Sequence, residues 1–446
     1  MKTIYFILFI ITFALIINAQ VGPVNFIDTS LETAGVTKFE SVDLDNDGFN
    51  EILVSSTGTA GRIGFYQNQT NNTFSNFNLI ESFGFCKGIA IGDFNNDNWI
   101  DIVSIGGINK EAKIHINNSG SFSPGVPLDS NISIQVNDVV VADFDNNNSD
   151  DIVIIGQHSI DFYRNNGSGS FSKETILTTN SSSTRVLECL DLAAADMDGD
   201  GDGDIDLING ETEGLVIYIN NGNAMFSPHY YSLIPEIFFL VHPFDIDNDG
   251  DMDVVGRNHA GEVKWFSNNG SSVMTYEAIL PNIPNLLSLN SIDHNNDGFE
   301  DIYASYANHI SIFENDANQN FNNEISVYQD DNLIMGAVQI VDVDNQNGLD
   351  YVWSGGNNAI AFHMNESLLN IDDLEAPTIL LYSNPTNGIL NSTHQIQKLR
   401  IYNLQGAKLM EAYKTHTIDL SRLPAGFYTL IIEDHEGLTI HKIIKN

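Results

Sequence analysis

Short runs, some continuously apolar and some alternating apolar and polar at every second position, fill most of this chain, cut by Gly, Ser, Asn and Asp. That period marks strands with one buried face, and no amphipathic three-to-four spacing persists anywhere. Residues 136–172 show the order plainly. "VNDVVVAD" (136–143) is apolar, "DIVIIG" (151–156) is β-branched, "SIDFYRNN" (159–166) alternates and ends in asparagine, and "GSGSFS" (167–172) turns the chain. A less regular fourth segment closes the unit.

The unit recurs. Its third run reads "RIGFYQN", "AKIHINN", "SIDFYRNN", "GLVIYINN", "EVKWFSNN", "HISIFEND" and "AIAFHMNE" in turn. An acidic stretch always separates the first run from the second: "DLDNDGFNE" from Asp43, "DFNNDNWID" from Asp93, "DFDNNNSDD" from Asp143, "DMDGDGDGDID" from Asp196, "DIDNDGDMD" from Asp245, "DHNNDGFED" from Asp293 and "DVDNQNGLD" from Asp342. Successive starts lie 50, 50, 53, 49, 48 and 49 residues apart. Four short strands repeated at this period predict an all-β fold: a seven-bladed β-propeller over 20–371, a linker over 372–377 and a small C-terminal β-sandwich domain over 378–446.

The ends of the array suggest how it closes. Repeat seven stops after its third strand, "AIAFHMNE" (359–366), while "PVNFIDTSLE" (23–32) precedes repeat one as an orphan fourth strand. Pairing the two completes the last blade and removes the open edges of a linear array. An open solenoid of β units is the competing expectation.

Charge narrows the partners. The chain carries 59 acidic and 18 basic residues, a net charge of −41, and such a surface repels nucleic acid and anionic membrane. A hydrophobic content of 42% with 10% aromatics speaks for a packed core rather than disorder. The opening "MKTIYFILFIITFALIINAQ" has a basic end, an apolar run and a small residue at Ala19, so residues 1–19 read as a cleaved signal peptide. A retained anchor is the alternative, but the run is short for a membrane span, and no transmembrane helix is expected in the mature chain.

Within each acidic stretch, oxygen side chains occupy positions 1, 3, 5 and 9. They are Asp43, Asp45, Asp47 and Glu51; Asp93, Asn95, Asp97 and Asp101; Asp143, Asp145, Asn147 and Asp151; Asp245, Asp247, Asp249 and Asp253; Asp293, Asn295, Asp297 and Asp301; Asp342, Asp344, Gln346 and Asp350. The fourth stretch holds two extra residues. Its preceding strand registers with Asp196 and its following strand with Asp198, Asp200, Asp202 and Asp206, the set favoured here. Several hard anionic oxygens around a tight turn suit Ca²⁺; Zn²⁺ would call for the His or Cys that these loops lack apart from His294. Taken singly, each Asp-Gly or Asn-Gly pair is equally an ordinary hairpin turn. Seven copies in register favour structural calcium, weaker where Asn or Gln replaces a carboxylate.

These repeats resemble the FG-GAP/VCBS family, propellers related to the integrin α-subunit head. The resemblance implies calcium held in the hairpin between a blade's first two strands, on the D-x-D-x-D-G-x-x-D positions just named. The glycine of that pattern is missing at Asn98, Asn148 and Asn347. The repeat also places Cys86 and Cys189, each seven residues before its acidic stretch, in blades two and four. Blades that are not neighbours cannot bring their Cα atoms within disulfide reach, so two free thiols are expected.

After "LLNIDDLEAP" (368–377) the composition changes. Residues 376–446 hold 7 basic and 5 acidic residues, net +2, against 11 and 54 before them. Short strands such as "KLRIYNL", "FYTLIIE" and "LTIHKIIK" alternate with turns at Gly406, Gly426 and Gly437. "YSNPTNGIL" (382–390), "IYNLQGAKL" (401–409), "IDLSRLPAGFYTLII" (418–432) and "HKIIK" (441–445) are similar to the type A sorting domain of the type IX secretion system of Bacteroidota. That similarity implies the type IX machinery as a partner and a destination outside the cell or on its outer surface.

No nucleophile elbow, zinc-protease motif or phosphate-cradling loop occurs. On the face opposite the acidic loops, His158, His259 and His309 fall at similar places in blades three, five and six and are candidate ligand-binding residues. Two functions follow: a secreted, calcium-stabilised binding or adhesion module for a glycan or extracellular protein, or a lyase-like polysaccharide-degrading enzyme acting on the propeller face.

Overall fold

The structure is a computed structural model. It describes residues 20–445 apart from 29–34, 59–60, 70–72, 83, 107–110, 130–135, 157–158, 179–189, 200–203, 212–213, 231–235, 271–273, 280–285, 296, 317, 331–334, 346–348, 356–358, 367–380, 383–387, 404–407 and 434–437. The signal peptide (1–19) and the linker (372–377) expected from sequence lie outside the described residues. The chain divides into two compact units, Met1–Glu366 and Ser367–Asn446.

The first unit is a seven-bladed β-propeller. Blade one is built from Val36–Val42, Glu51–Ser56, Arg62–Tyr66 and Asn78–Ser82, paired antiparallel in chain order. Five further sheets repeat this plan. The seventh takes three strands from the end of the unit, Met335–Val341, Asp350–Gly355 and Ala359–Glu366, and its fourth from the start, Gln20–Asp28. Gln20 pairs with Glu366 and Asp28 with Ile360, so the orphan strand does complete the last blade. Pro23 falls in a break of that register, on the outermost strand, where a missing ladder donor is tolerated.

The run types seen in sequence follow from position in the blade. Every residue of Glu51–Ser56, Asp101–Gly106, Asp151–Gly156, Asp206–Glu211, Asp301–Tyr306 and Asp350–Gly355 is buried. These second strands are covered by a neighbouring blade on each face, so they carry apolar residues on both faces instead of alternating. Apolar clusters span adjacent blades; Phe39, Ile52, Val54 and Tyr66 of blade one pack with Val341, Val352, Ile360 and Phe362 of blade seven, so the closing seam is as apolar as the others. The first strands touch around the whole ring, Met335–Val341 against Val36–Val42 included, and wall a central channel. The open-solenoid alternative is thereby excluded.

The second unit is a small β domain. Leu381–Tyr382, Ile389–Tyr402, Gly426–Glu433 and Leu438–Lys445 lie in that sheet order, with Lys408–Asp419 also paired to Ile389–Tyr402. The register breaks between Asn391 and Ile396, and Leu390, Leu399, Ile418 and Leu430 share one buried cluster. No helix long and apolar enough to cross a membrane occurs among the described residues.

Candidate metal centres

Each acidic loop is wound around its own carboxylates. In blade five, Asp245 accepts from the main-chain N–H groups of Asp249 (3.1 Å) and Gly250 (2.9 Å), and Asp249 accepts from that of Asp251 (3.0 Å). Asn248 and Gly250 adopt left-handed φ values of 59° and 97°, which tighten the turn. Blades one, two and six repeat these bonds at the equivalent residues. In blades two and three the pattern's glycine is Asn98 or Asn148, yet these take φ values of 67° and 62° and still donate to Asp93 and Asp143. Asparagine is the non-glycine residue best suited to that region, so the turn survives the exchange. Asn347 and Gln346 lie outside the described residues.

Position nine opens the second strand and is buried in every blade: Glu51, Asp101, Asp151, Asp206, Asp253, Asp301 and Asp350. One oxygen accepts from the main-chain N–H of position two, as Leu44 to Glu51 at 2.8 Å, Ile246 to Asp253 at 3.1 Å and Val343 to Asp350 at 2.8 Å. This bond also fixes the register of the fourth loop. Met197 donates to Asp206 at 2.8 Å, so Met197 holds position two and Asp196 position one. The set favoured from sequence therefore needs correction at its start. Asp196, which continues directly from the inner strand Asp191–Ala195, takes the first place and Asp198 the third; the two extra residues fall later in the turn. Asp200 and Asp202 lie outside the described residues.

The folded loops bring carboxylate oxygens within 4.8 Å of one another in five blades: Asp43, Asp45 and Glu51; Asp143, Asp145 and Asp151; Asp196, Asp198 and Asp206; Asp245, Asp247 and Asp253; Asp342, Asp344 and Asp350. In blades two and six, Asn95 and Asn295 replace the middle carboxylate, and no such three-acid group forms among the described residues. Burial pushes the carboxyl groups of Glu51, Asp151, Asp206 and Asp253 up to about 7, and those of Asp101 and Asp301 to about 6, against the pull of their two N–H donors. Neighbouring carboxylates, such as Asp45 beside Glu51, add to the rise. Oδ1 of Asp247 is buried and accepts no hydrogen bond. An unpaired buried carboxylate oxygen, facing other carboxylates, is costly unless a cation joins it. The donor set is all oxygen and anionic, and so fits a hard divalent cation such as Ca²⁺.

The asparagine closing each third strand, visible in the sequence only as a recurrent Asn-rich end, has a definite task. Its N–H donates to the other oxygen of position nine: Asn117 to Asp101, Asn165 to Asp151, Asn220 to Asp206, Asn268 to Asp253 and Asn315 to Asp301, at 2.6–2.7 Å. Its side-chain amide reaches back to the position-two carbonyl of the preceding blade. Asn117 donates to Leu44, Asn165 to Phe94, Asn220 to Phe144, Asn268 to Met197 and Asn315 to Ile246. Asn68 donates to Val343 at 2.8 Å and carries the series across the seam. Six of the seven loops are thus clipped to the next blade; the Asn365 side chain, which would clip the sixth, lies outside the described residues.

Residues 43–104, 93–154, 143–205, 200–255 and 245–304 each match the FG-GAP-like repeat, together more than half of the chain. The chain belongs to the FG-GAP-like repeat family. Residues 380–446 match the secretion system C-terminal sorting domain, which implies export to the cell surface or beyond it. No curated protein sequence matches this FG-GAP chain. Among solved structures, it is similar to an Agrocybe aegerita lectin described for specific recognition of non-reducing terminal N-acetylglucosamine, with 20% identity and a TM-score of 0.51 over 67% of this chain and 81% of that one. It also resembles BBS1N, solved in complex with ARL6DN, at 11% identity and a TM-score of 0.54 over 76% and 94% of the two chains. An extracellular domain of a one-component system from B. thetaiotaomicron aligns at 12% identity and a TM-score of 0.50, over 95% of this chain and 52% of that one. At such identities the likeness is one of fold.

On the FG-GAP propeller's opposite face, His259 is exposed and its ring lies 5.5 Å from that of Phe239, which is itself 38% exposed. The Arg257 guanidinium stands 6.0 Å from the same ring. His309 stacks on Tyr306 at 5.2 Å within blade six, and no contact joins it to His259 among the described residues. His158 lies outside them. Within the channel, Lys38 of blade one pairs with Glu40 at 3.7 Å and faces Asp138 and Asp191 of blades three and four. Asp138 and Asp191 share a hydrogen bond, and burial with this neighbour raises Asp191 to about 8. This polar wall was not foreseen, because its members sit 100 and 153 residues from Lys38.

Proposed function

We propose that this protein is exported through its leader and its sorting domain and acts outside the cell as a calcium-stabilised glycan-binding module. The calcium loops brace one face. Binding falls to the other, at blade five. The observation that carries this reading is Phe239, a large aromatic side chain left exposed between a guanidinium and an imidazole. An exposed ring offers its face to the C–H surface of a sugar, and flanking N–H groups can donate to hydroxyls or carboxylates. Arg257 has no acidic partner among the described residues, although the chain carries 59 acidic side chains. A lectin of the same fold is in keeping with a glycan as the partner.

A glycan array probed with the calcium-loaded protein tests this. Binding that falls at least tenfold in Phe239→Ala, with an unchanged melting temperature, is the expected result, since loss of one stacking anchor removes roughly 1.4 kcal/mol or more. An array without signal would overturn the reading. New unsaturated sugar ends during incubation would replace binding with degradation.

A further inference from the structure

The residue just before the asparagine that closes each third strand differs from blade to blade, Gln67, Ile116, Arg164, Ile219, Ser267, Glu314 and Met364, and Gln67 and Arg164 reach the middle carboxylate of their own acidic loops. Blade three alone has a cation there. The Arg164 guanidinium pairs with Oδ2 of Asp145, the middle carboxylate of that loop's three-acid group. Its other terminal nitrogen donates to the main-chain carbonyl of Asn223 in blade four, at 3.2 Å. The plane of the group lies 5.3 Å from the centre of the Phe162 ring, and the side chain is only about one-third exposed, 32%. Arg164 is therefore held on three sides. In blade five the equivalent residue is the uncharged Ser267, which donates to Glu277; Oδ1 of Asp145 and Oδ1 of Asp247 are both buried and unpaired, so the two loops differ in the guanidinium at Asp145 Oδ2.

We propose that Arg164 is the resident cation of blade three, and that a calcium ion entering this loop must displace it. The inference rests on the reading of the loops as calcium sites. One positive charge already compensates the three carboxylates, so the net gain on binding calcium is smaller than in blade five. Asn147 weakens the site further. Where blades one, two, five and six present an aspartate at position five, its side-chain amide donates to the carbonyl of Asn165 at 3.0 Å. Blade three thus becomes an exchangeable site of the propeller. Filling it also breaks a link between blades, because the guanidinium that leaves Asp145 bridges to the 221–224 turn of blade four, a turn that also packs on loop three through Ala224 N–H and the Phe144 carbonyl (3.1 Å). A structural calcium site would thereby double as a calcium-sensitive joint.

Calcium titration of the chelator-stripped full chain, followed by calorimetry, tests the inference. The wild type should show tight sites and weaker steps, loop three giving one of the weaker. Arg164→Gln should tighten that step about tenfold, equivalent to about 1.4 kcal/mol, and Asp145→Asn should abolish it while leaving the tight set intact. If Arg164→Gln titrates as the wild type does, or if Asp145→Asn removes a tight site, the resident-cation inference fails while the calcium reading stands. A flat wild-type isotherm would sink both. Crystals of the unaltered protein at low and high calcium give an independent check that needs no variant. Arg164 should contact Asp145 in the first and an ion should replace it in the second; an ion beside an unmoved Arg164–Asp145 pair would overturn the proposal.

Discussion

The side-chain amide of Asn268 donates to the carbonyl of Met197, 71 residues earlier and one blade back, at 2.7 Å. The same residue donates its main-chain N–H to Asp253 and shares its amide with the Met252 carbonyl at 3.0 Å. One buried asparagine thus ties together its own acidic loop, the second strand behind that loop and the neighbouring blade. Replacing it by alanine takes this donor from the buried Met197 carbonyl and the partly buried Met252 carbonyl. Asn268→Ala should destabilise the propeller by about 1–3 kcal/mol, read as a lower denaturant midpoint in calcium. Asn268→Asp should do worse, because a carboxylate cannot donate and would face the Asp253 group.

Calcium and pH should act against each other. Glu51, Asp151, Asp206 and Asp253 have carboxyl groups raised to about 7 in the folded chain, whereas an unfolded chain releases those protons near pH 4. A group raised on folding stabilises the native state below its unfolded value, and that contribution is lost as pH rises through the folded value. The contribution of these groups to the chelated protein should therefore fall as pH rises from about 4 to about 7 and stay low above that. Calcium requires the ionised carboxylates, so its stabilisation should grow over the same interval. Denaturation midpoints at pH 5 and pH 8, with EDTA or calcium, give both slopes; a chelated protein that gains stability towards pH 8 would contradict the prediction.

Asp247→Asn should change sign with the metal. Without calcium it removes a buried carboxylate that is raised by burial and by Asp249 and Asp245, and the melting temperature should rise. With calcium it deletes a ligand, and the melting temperature should fall below that of the wild type. A variant that shifts the same way in both conditions would show that Asp247 serves the apo fold alone.

Cys86 is fully buried, and burial pushes its thiol up to about 12. The thiolate is the reactive form, so Cys86 should resist alkylation in the native protein. Denaturation without reductant should expose two thiols per chain. Intact mass after labelling counts them, and a mass without any label would reveal a disulfide. Cys86 is free in the structure; Cys189 lies outside the described residues.

Much of this architecture was legible because it repeats. Seven acidic stretches at an even period, each between an apolar and an alternating run, leave little but a propeller, and the unmatched runs at the two ends dictate how it closes. The acidic positions within each loop were equally plain wherever the loop length is constant. The fourth loop, two residues longer, could be registered from either side, and only the bond from Met197 to Asp206 decided it.

Composition and spacing by themselves determined the all-β class, the blade count, the acidic loops and the change of module near residue 377, because each depends on local period or on charge along the chain. Tertiary structure alone decided what meets across blades. The Asn268 amide needs a carbonyl 71 residues away, the channel joins Lys38 to Asp191, and the guanidinium of Arg164 reaches both Asp145 and blade four. The reason is geometric. A strand's neighbours within a blade are near in sequence, whereas closing the ring sets apart the residues that face one another between blades and across the channel, and no local pattern records that distance.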